Sequence, residues 1–286
     1  LSAKRATLNP NWAGVAVLLL KQLGVSRGDV VAVGFSGSFP ALNVAVCTAM
    51  QTLGIEPLVI SSAAASQWGA NRPELLWIDM EALIARHGLL SFRSLAASLG
   101  GANDRADGLT PEGLALLKEG ISRTGLQQIG GKPRLKESVG ERIAIYRQHA
   151  GSRPIKAYIN VGGSSASIGF DETEEAFDPG LNRQIEEPEA LELMTVMGHF
   201  LNRNVPVIHF LKIRRLAKRY GIPMNPVIPP APGIGKLYRL QTYDRGIAVA
   251  ALLALIAATL ICVRAGRLLS LFRSGPTVDT TLEAAL

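Results

Sequence analysis

Cysteine is scarce: Cys47 and Cys262 are the only two in 286 residues. They sit in separate apolar runs, which excludes a disulfide framework, and neither has metal-ligand spacing. Histidine is nearly as rare. His87, His149, His199 and His209 form no His-x-x-x-His pair and no Cys/His cluster, so no protein-built metal site is expected. Aromatic residues make up 6% of the chain and no recognised nucleic-acid module is present, so nucleic acid is not an expected partner despite a net charge of +7. Nucleotide motifs fail as well. Gly130-Gly131-Lys132-Pro133 has proline where a phosphate-binding loop needs Ser or Thr, and no Gly-x-Gly-x-x-Gly follows a strand pattern. The sequence names no cofactor.

Charge is missing altogether from Gly246 to Val263. At about 1.5 Å per residue this run reaches the length needed to cross a hydrocarbon core about 30 Å thick. Arg245 and Arg264 flank it as interfacial anchors would. Lys236, Arg239 and Arg245 on one side balance Arg264, Arg267 and Arg273 on the other, so the positive-inside rule gives no orientation. The chain opens on Leu1 rather than Met, which leaves open a further span ahead of it. No signal peptide is visible.

What the chain does have is apolar, β-branched runs that alternate with helical patterns. Strand patterns lie at Val30–Gly34, Pro57–Ile60, Ile155–Val161 and Val205–Phe210. Helical patterns lie between them, among them Glu74–His87 and Ala190–Asn202, with proline openings at Asn9-Pro10 and Thr110-Pro111 and glycine stops at Gly24, Gly54 and Gly88. This alternation predicts an α/β fold with a doubly wound, mainly parallel, Rossmann-like sheet. The stretch from Asp171 to Glu192 is acidic and reads as a surface excursion, and Lys212 to Arg219 is a basic helix. Pro223 to Gly235 carries Pro223, Pro226, Pro229, Pro230 and Pro232 and reads as a stiff, extended linker. The expected organisation is an α/β ligand-binding domain over 1–222, a proline-rich linker and juxtamembrane segment over 223–245, a transmembrane helix over 246–263 and a short basic and polar tail over 264–286.

The candidate site gathers where strands should end. Ser36-Gly37-Ser38-Phe39-Pro40-Ala41-Leu42-Asn43 follows the first strand, and Asn160-Val161-Gly162-Gly163-Ser164 closes the third. In an open α/β sheet both loops reach the carboxyl edge, where small residues let backbone N–H groups face an anion. Trp68-Gly69-Ala70-Asn71 follows the second strand to the same edge. Ser36, Gly37, Ser38, Asn43, Trp68, Asn71, Asn160, Gly162, Gly163 and Ser164 are therefore the candidate ligand-binding residues. Two other readings stay open for the serines. They cap a turn, or one is a nucleophile. Gly34-Phe35-Ser36-Gly37-Ser38 departs from the Gly-x-Ser-x-Gly elbow at its last position. A nucleophile would need His209 as base, oriented by Asp79 or Asp104. Asp79 and Glu81 lie two apart and share no helical face, so they are no acid/base pair.

Six blocks in one order carry a resemblance: Ala3–Pro10, Val33–Asn43, Trp68–Asn71, Trp77–Glu81, Ile159–Gly163 and Pro206–His209. Together they resemble the poly-γ-glutamate system protein family, over residues 1–238. The resemblance implies a membrane-anchored accessory protein of capsule or polymer synthesis and export in the bacterial cell membrane. Its implied partners are the poly-γ-glutamate synthetase and that enzyme's membrane partner, with an anionic polymer or precursor as ligand. It implies no catalytic residue. The alternative is a serine-dependent hydrolase or transferase acting on γ-glutamyl amides.

Overall fold

The computed structural model describes residues 1–170, 175–184, 195–226, 228, 230–239 and 244–273. Two compact units divide the chain, Leu1–Arg239 and Leu240–Leu286. The first is built on a sheet of seven strands: β1 (Val30–Phe35), β2 (Glu56–Ser62), β3 (Ala96–Ser98), β4 (Gln127–Ile129), β5 (Ile155–Val161), β6 (Gly180–Asn182) and β7 (Val207–Phe210). Their order across the sheet is β4-β3-β2-β1-β5-β7-β6. Every pairing is parallel except that of β6 with β7. The chain thus winds outward from β1 through β2, β3 and β4, then returns to lay β5 on the other side of β1. The strand order reverses between β1 and β5, and in open α/β sheets ligands bind at that crevice.

Among the described residues of the first unit, nine α-helices flank the sheet: α1 (Ser2–Thr7), α2 (Trp12–Gln22), α3 (Pro40–Leu53), α4 (Trp77–Arg86), α5 (Pro111–Thr124), α6 (Leu135–Ala150), α7 (Ser165–Ile168), α8 (Val196–Leu201) and α9 (Ile213–Tyr220). Side chains alternate across the strands, so each strand feeds two cores. Val31, Val33 and Phe35 of β1 pack with Trp12, Leu42 and Trp77 from α2, α3 and α4 on one face. Val30 and Ala32 pack with Ile143, Tyr146 and Phe200 from α6 and α8 on the other. Burial on both faces is why β1 reads as an unbroken apolar run rather than an alternating one. Local signals set the helix ends. Pro40 occupies the first turn of α3 and Gly54 closes it in the left-handed conformation. The Thr110 hydroxyl accepts the Gly113 N–H at 3.2 Å to cap α5.

Four strands were expected and seven are present. The three extra strands, β3, β4 and β6, are three residues each. β6 lies in the stretch read as an acidic excursion, most of which falls outside the described residues. Residues 190–194 of the helix expected at Ala190–Asn202 also fall outside them, and α8 covers its later part. The helix expected at Glu74–His87 begins at Trp77, because Asp79 accepts the Leu76 N–H at 2.9 Å and caps it there. The proline-rich stretch is tied to the domain. Asn11 Nδ2 donates to the carbonyls of Ala231 and Ile234 at 3.3 and 2.9 Å, and Asn11 Oδ1 accepts the Gly233 N–H at 2.9 Å.

The second unit is described from Asp244 and contains α10 (Arg245–Arg273). Within it Gly246–Ala265 has mean hydropathy 2.7 and is long and apolar enough to cross a membrane. Residues 274–286, the larger part of the expected tail, lie outside the described residues.

Candidate functional site

The site begins with the residue after β1. The Ser36 N–H donates to Val161 O at 2.9 Å, which extends the β1–β5 ladder by one bond. Ser36 O accepts from Asn43 Nδ2 at 2.9 Å, so the first turn of α3 holds the loop from behind. Ser36 Oγ accepts the Ser38 N–H at 3.2 Å, and Ser38 Oγ accepts the Ser66 N–H at 3.0 Å. Each hydroxyl thereby keeps its proton free to donate.

Two glycines permit this packing. A Cβ on Gly37 would lie 2.8 Å from Ala64 O and 3.0 Å from Ala63 O, in the loop after β2. Gly162 has φ +94°, and a Cβ there would lie 2.5 Å from Ser36 Cβ. The loops after β1, β2 and β5 are thus in direct contact.

A cleft of about 330 Å³ opens in front of them. Ser36, Ser38 and Phe39 line it from β1, Ala64 to Ser66 from β2, and Gly163 and Ser164 from β5. Gly101, Ala106, Asp107 and Leu109 complete it from the loop after β3. That last wall was not expected. Its loop is wound through left-handed conformations at Gly100, Gly101, Asn103, Asp104 and Ala106. A buried ion pair holds it. Arg142 of α6 donates to Asp104 at 2.6 Å and to Ser98 Oγ at 2.5 Å, while Ser98 Oγ donates to Asp104 at 2.7 Å. Desolvation is the largest single influence on Arg142 and opposes its charge, but Asp104, Tyr146 and Tyr158 together raise the guanidinium's pKa. Asp107 is the one charged side chain in the lining. Hydrogen bonds from Arg105 and Asn103 lower its pKa and keep it a carboxylate.

A second hollow, also about 330 Å³, adjoins the first at Ser38. Lys4, Arg5 and Leu8 line it with Pro40, Ala41, Trp68 and Gly69. Lys4 Nζ donates to Ser66 O at 3.1 Å and to Gln67 O, so α1 pins the loop that carries Trp68. Partial burial lowers the Lys4 pKa. Trp68 itself has φ +73° and is 61% exposed.

The expected site residues divide accordingly. Ser36, Ser38, Gly163 and Ser164 line the cleft, Gly37 and Gly162 back it, and Trp68 lines the second hollow. Asn43 and Asn160 are buried struts. Asn160 Nδ2 donates to Gly162 O at 2.7 Å and meets His209 Nδ1 at 3.0 Å. Asn71 is exposed and lines neither hollow. Asp79 faces α5, where Arg123 binds it at 2.9 and 3.0 Å. His209 meets no serine hydroxyl. Asn160 occupies Nδ1, and buried Nε2 has no hydrogen-bond partner among the described residues. Burial, with the Lys212 charge second, pushes its pKa down to about 3. Such an imidazole is a poor general base near neutral pH.

The arrangement offers hydroxyl donors and backbone groups in one hollow and two cations in the next, which suits a ligand carrying amides and carboxylates together. Among the described residues no three metal-ligating side chains come together. Comparison with known protein families, with characterised proteins and with solved structures finds no match.

Proposed function

We propose that the chain is a membrane-tethered α/β protein that assists poly-γ-glutamate synthesis or export and binds the polymer or its precursor at the carboxyl edge of the sheet. One observation carries the reading: the serine cleft, whose one charged lining side chain is Asp107, and the hollow holding Lys4 and Arg5 adjoin at Ser38. A γ-glutamyl chain repeats an amide and a carboxylate. Its amides match Ser36, Ser38, Ser66 and Ser164, and its carboxylates match Lys4 and Arg5. Four of the six resembling blocks supply residues at or directly behind this edge: Ala3–Pro10, Val33–Asn43, Trp68–Asn71 and Ile159–Gly163. The helix at Gly246–Ala265 gives a tether suited to a polymer that crosses a membrane.

The synthetase and its membrane partner are the proposed protein partners. The reading is tested by calorimetry of the detergent-solubilised full chain with γ-glutamyl oligomers, with α-glutamyl oligomers as control, and by co-purification with the synthetase. Lys4→Gln is expected to weaken oligomer binding about tenfold, the loss of one charge-assisted hydrogen bond, and Ser36→Ala about fivefold, the loss of a neutral one. No binding together with no association would sink the proposal. The serine-hydrolase alternative gains nothing from the geometry, since among the described residues neither Ser36 nor Ser38 is hydrogen-bonded to a base.

A further inference from the structure

The chain leaves the first unit beside its most basic helix. Lys236 packs on the C-terminal end of α9, where a Cβ on Gly221 would lie 2.8 Å from Lys236 Cβ. Beyond Arg239, residues 240–244 alone separate this unit from α10 in the sequence. α9 buries Ile213, Leu216 and Ala217 and exposes Arg214, Arg215 and Lys218. Arg214 donates to Ser2 Oγ of α1 at 2.9 Å. α1 in turn exposes Arg5, is followed by Leu8 (59% exposed), and reaches the Trp68 loop through Lys4. One surface therefore runs from the chain's exit point along α9 and α1 to the tip of Trp68.

Neither α1 nor α9 contains an acidic residue. Among the described residues, Lys4, Arg5, Arg215 and Lys218 have no ion-pair partner. Cations around an exposed tryptophan and leucine are the composition that settles at a lipid headgroup layer, the ring at the interface and the charges on anionic phosphates. We propose that the face formed by α1, the Trp68 loop and α9 binds an anionic lipid surface. The proposal rests on the membrane reading of α10 and not on the polymer reading. Lys4, Arg5 and Trp68 line the second hollow, so lipid headgroups and polymer carboxylates would compete for it, while the serine cleft adjoins it at Ser38.

Trp68 is its own probe, because the only other tryptophans, Trp12 and Trp77, are fully buried. The full chain is placed in nanodiscs of phosphatidylcholine alone or mixed equally with phosphatidylglycerol, with plain or brominated acyl chains. Bromine is expected to quench Trp68 in the anionic discs far more than in the neutral ones, and salt is expected to relieve it. Each cation at an anionic surface strengthens partitioning about fivefold. The triple variant Arg5→Glu, Arg215→Glu, Lys218→Glu should therefore lose the anionic preference while still being recovered in discs with unchanged circular dichroism. Trp68 emission that ignores bromine in anionic discs, or quenching indifferent to lipid charge, overturns the proposal. An unquenched Trp68 whose emission shifts with soluble poly-γ-glutamate also overturns it and assigns the face to polymer. A chain that elutes apart from the discs removes the membrane reading of α10 and this proposal with it.

Discussion

Ser36 is held by neighbours that have no slack. The φ of +94° at Gly162 and the 2.5 Å approach that a Cβ would make to Ser36 act in the same direction. Gly162→Ala is expected to cost about 1–3 kcal/mol from backbone conformation alone, with more from the displaced Ser36. Urea unfolding of the detergent-solubilised chain checks the stability, and oligomer calorimetry should show weakened binding. A wild-type midpoint and affinity would mean the loops are not packed as described. His209 gives a second residue-level test through pH. Unfolded, its imidazole titrates near 6.5; folded, at about 3. Above 6.5 it is neutral in both states and adds no pH dependence. Between 6.5 and 3 only the unfolded chain takes up the proton, so stability falls with pH by about 1.4 kcal/mol per unit. His209→Gln should flatten that part of the acid limb in denaturant midpoints measured from neutral pH to about pH 4.5. An unaltered limb would place the titrating group elsewhere.

Helices and loops reveal which carboxylates belong to the scaffold and which to the cleft wall. Asp79 was a candidate for the site, yet it caps α4 and joins it to Arg123 of α5. Asp79→Ala should lower stability by about 1 kcal/mol, the usual worth of a cap, and leave oligomer affinity unchanged; a large loss of affinity would return it to the site. Asp104 is the reverse case. It holds the loop after β3, and removing its partner leaves a buried, unpaired charge. Arg142→Met is therefore expected to cost about 3–5 kcal/mol, readable by thermal unfolding, and to weaken oligomer binding by loosening the wall that carries Ala106 and Asp107. A change below about 1 kcal/mol would show the pair to be dispensable. The difference in legibility between the two halves of the site has a simple cause. β1 and β5 are six and seven residues long, buried and β-branched, and each ends in a glycine and serine loop, so the switch-point crevice could be read from sequence. β3 is Ala96–Ser98, three small residues too few to show a period of two. With no strand visible before it, Ser98–Asp104 reads as an irregular, glycine-rich connection rather than a fourth wall. The pairing of Asp104 with Arg142 spans 38 positions and has no local signal.

The whole chain depends on where its first unit stops. The proline content of 223–235 suggested a spacer outside the fold, with the domain complete by residue 222. In the structure the described residues of this segment are part of the domain, because a single side chain near the other end of the sequence holds Ala231, Gly233 and Ile234 with three hydrogen bonds. Asn11 reaches Ala231, Gly233 and Ile234, and Tyr238 and Leu237 pack on Gly14 of α2 so closely that a Cβ there would lie 2.5 and 2.9 Å from them. Proline lowers the entropy lost when such a segment is laid down without secondary structure, which is how a proline-rich sequence can serve as packing rather than linker. Two truncations separate these roles. A chain ending at Arg239 should unfold cooperatively at a midpoint close to that of the intact first unit. A chain ending at Ile222 uncovers Asn11 and the Gly14 face of α2, and each buried polar group of Asn11 left unmade costs about 1–3 kcal/mol. We expect it to unfold several degrees lower and to exchange the amide protons of α2 faster, since a destabilisation of about 1 kcal/mol shifts the midpoint by about 2–4 °C at this size. Equal midpoints and equal α2 protection in the two truncations would restore the segment to the role of a spacer.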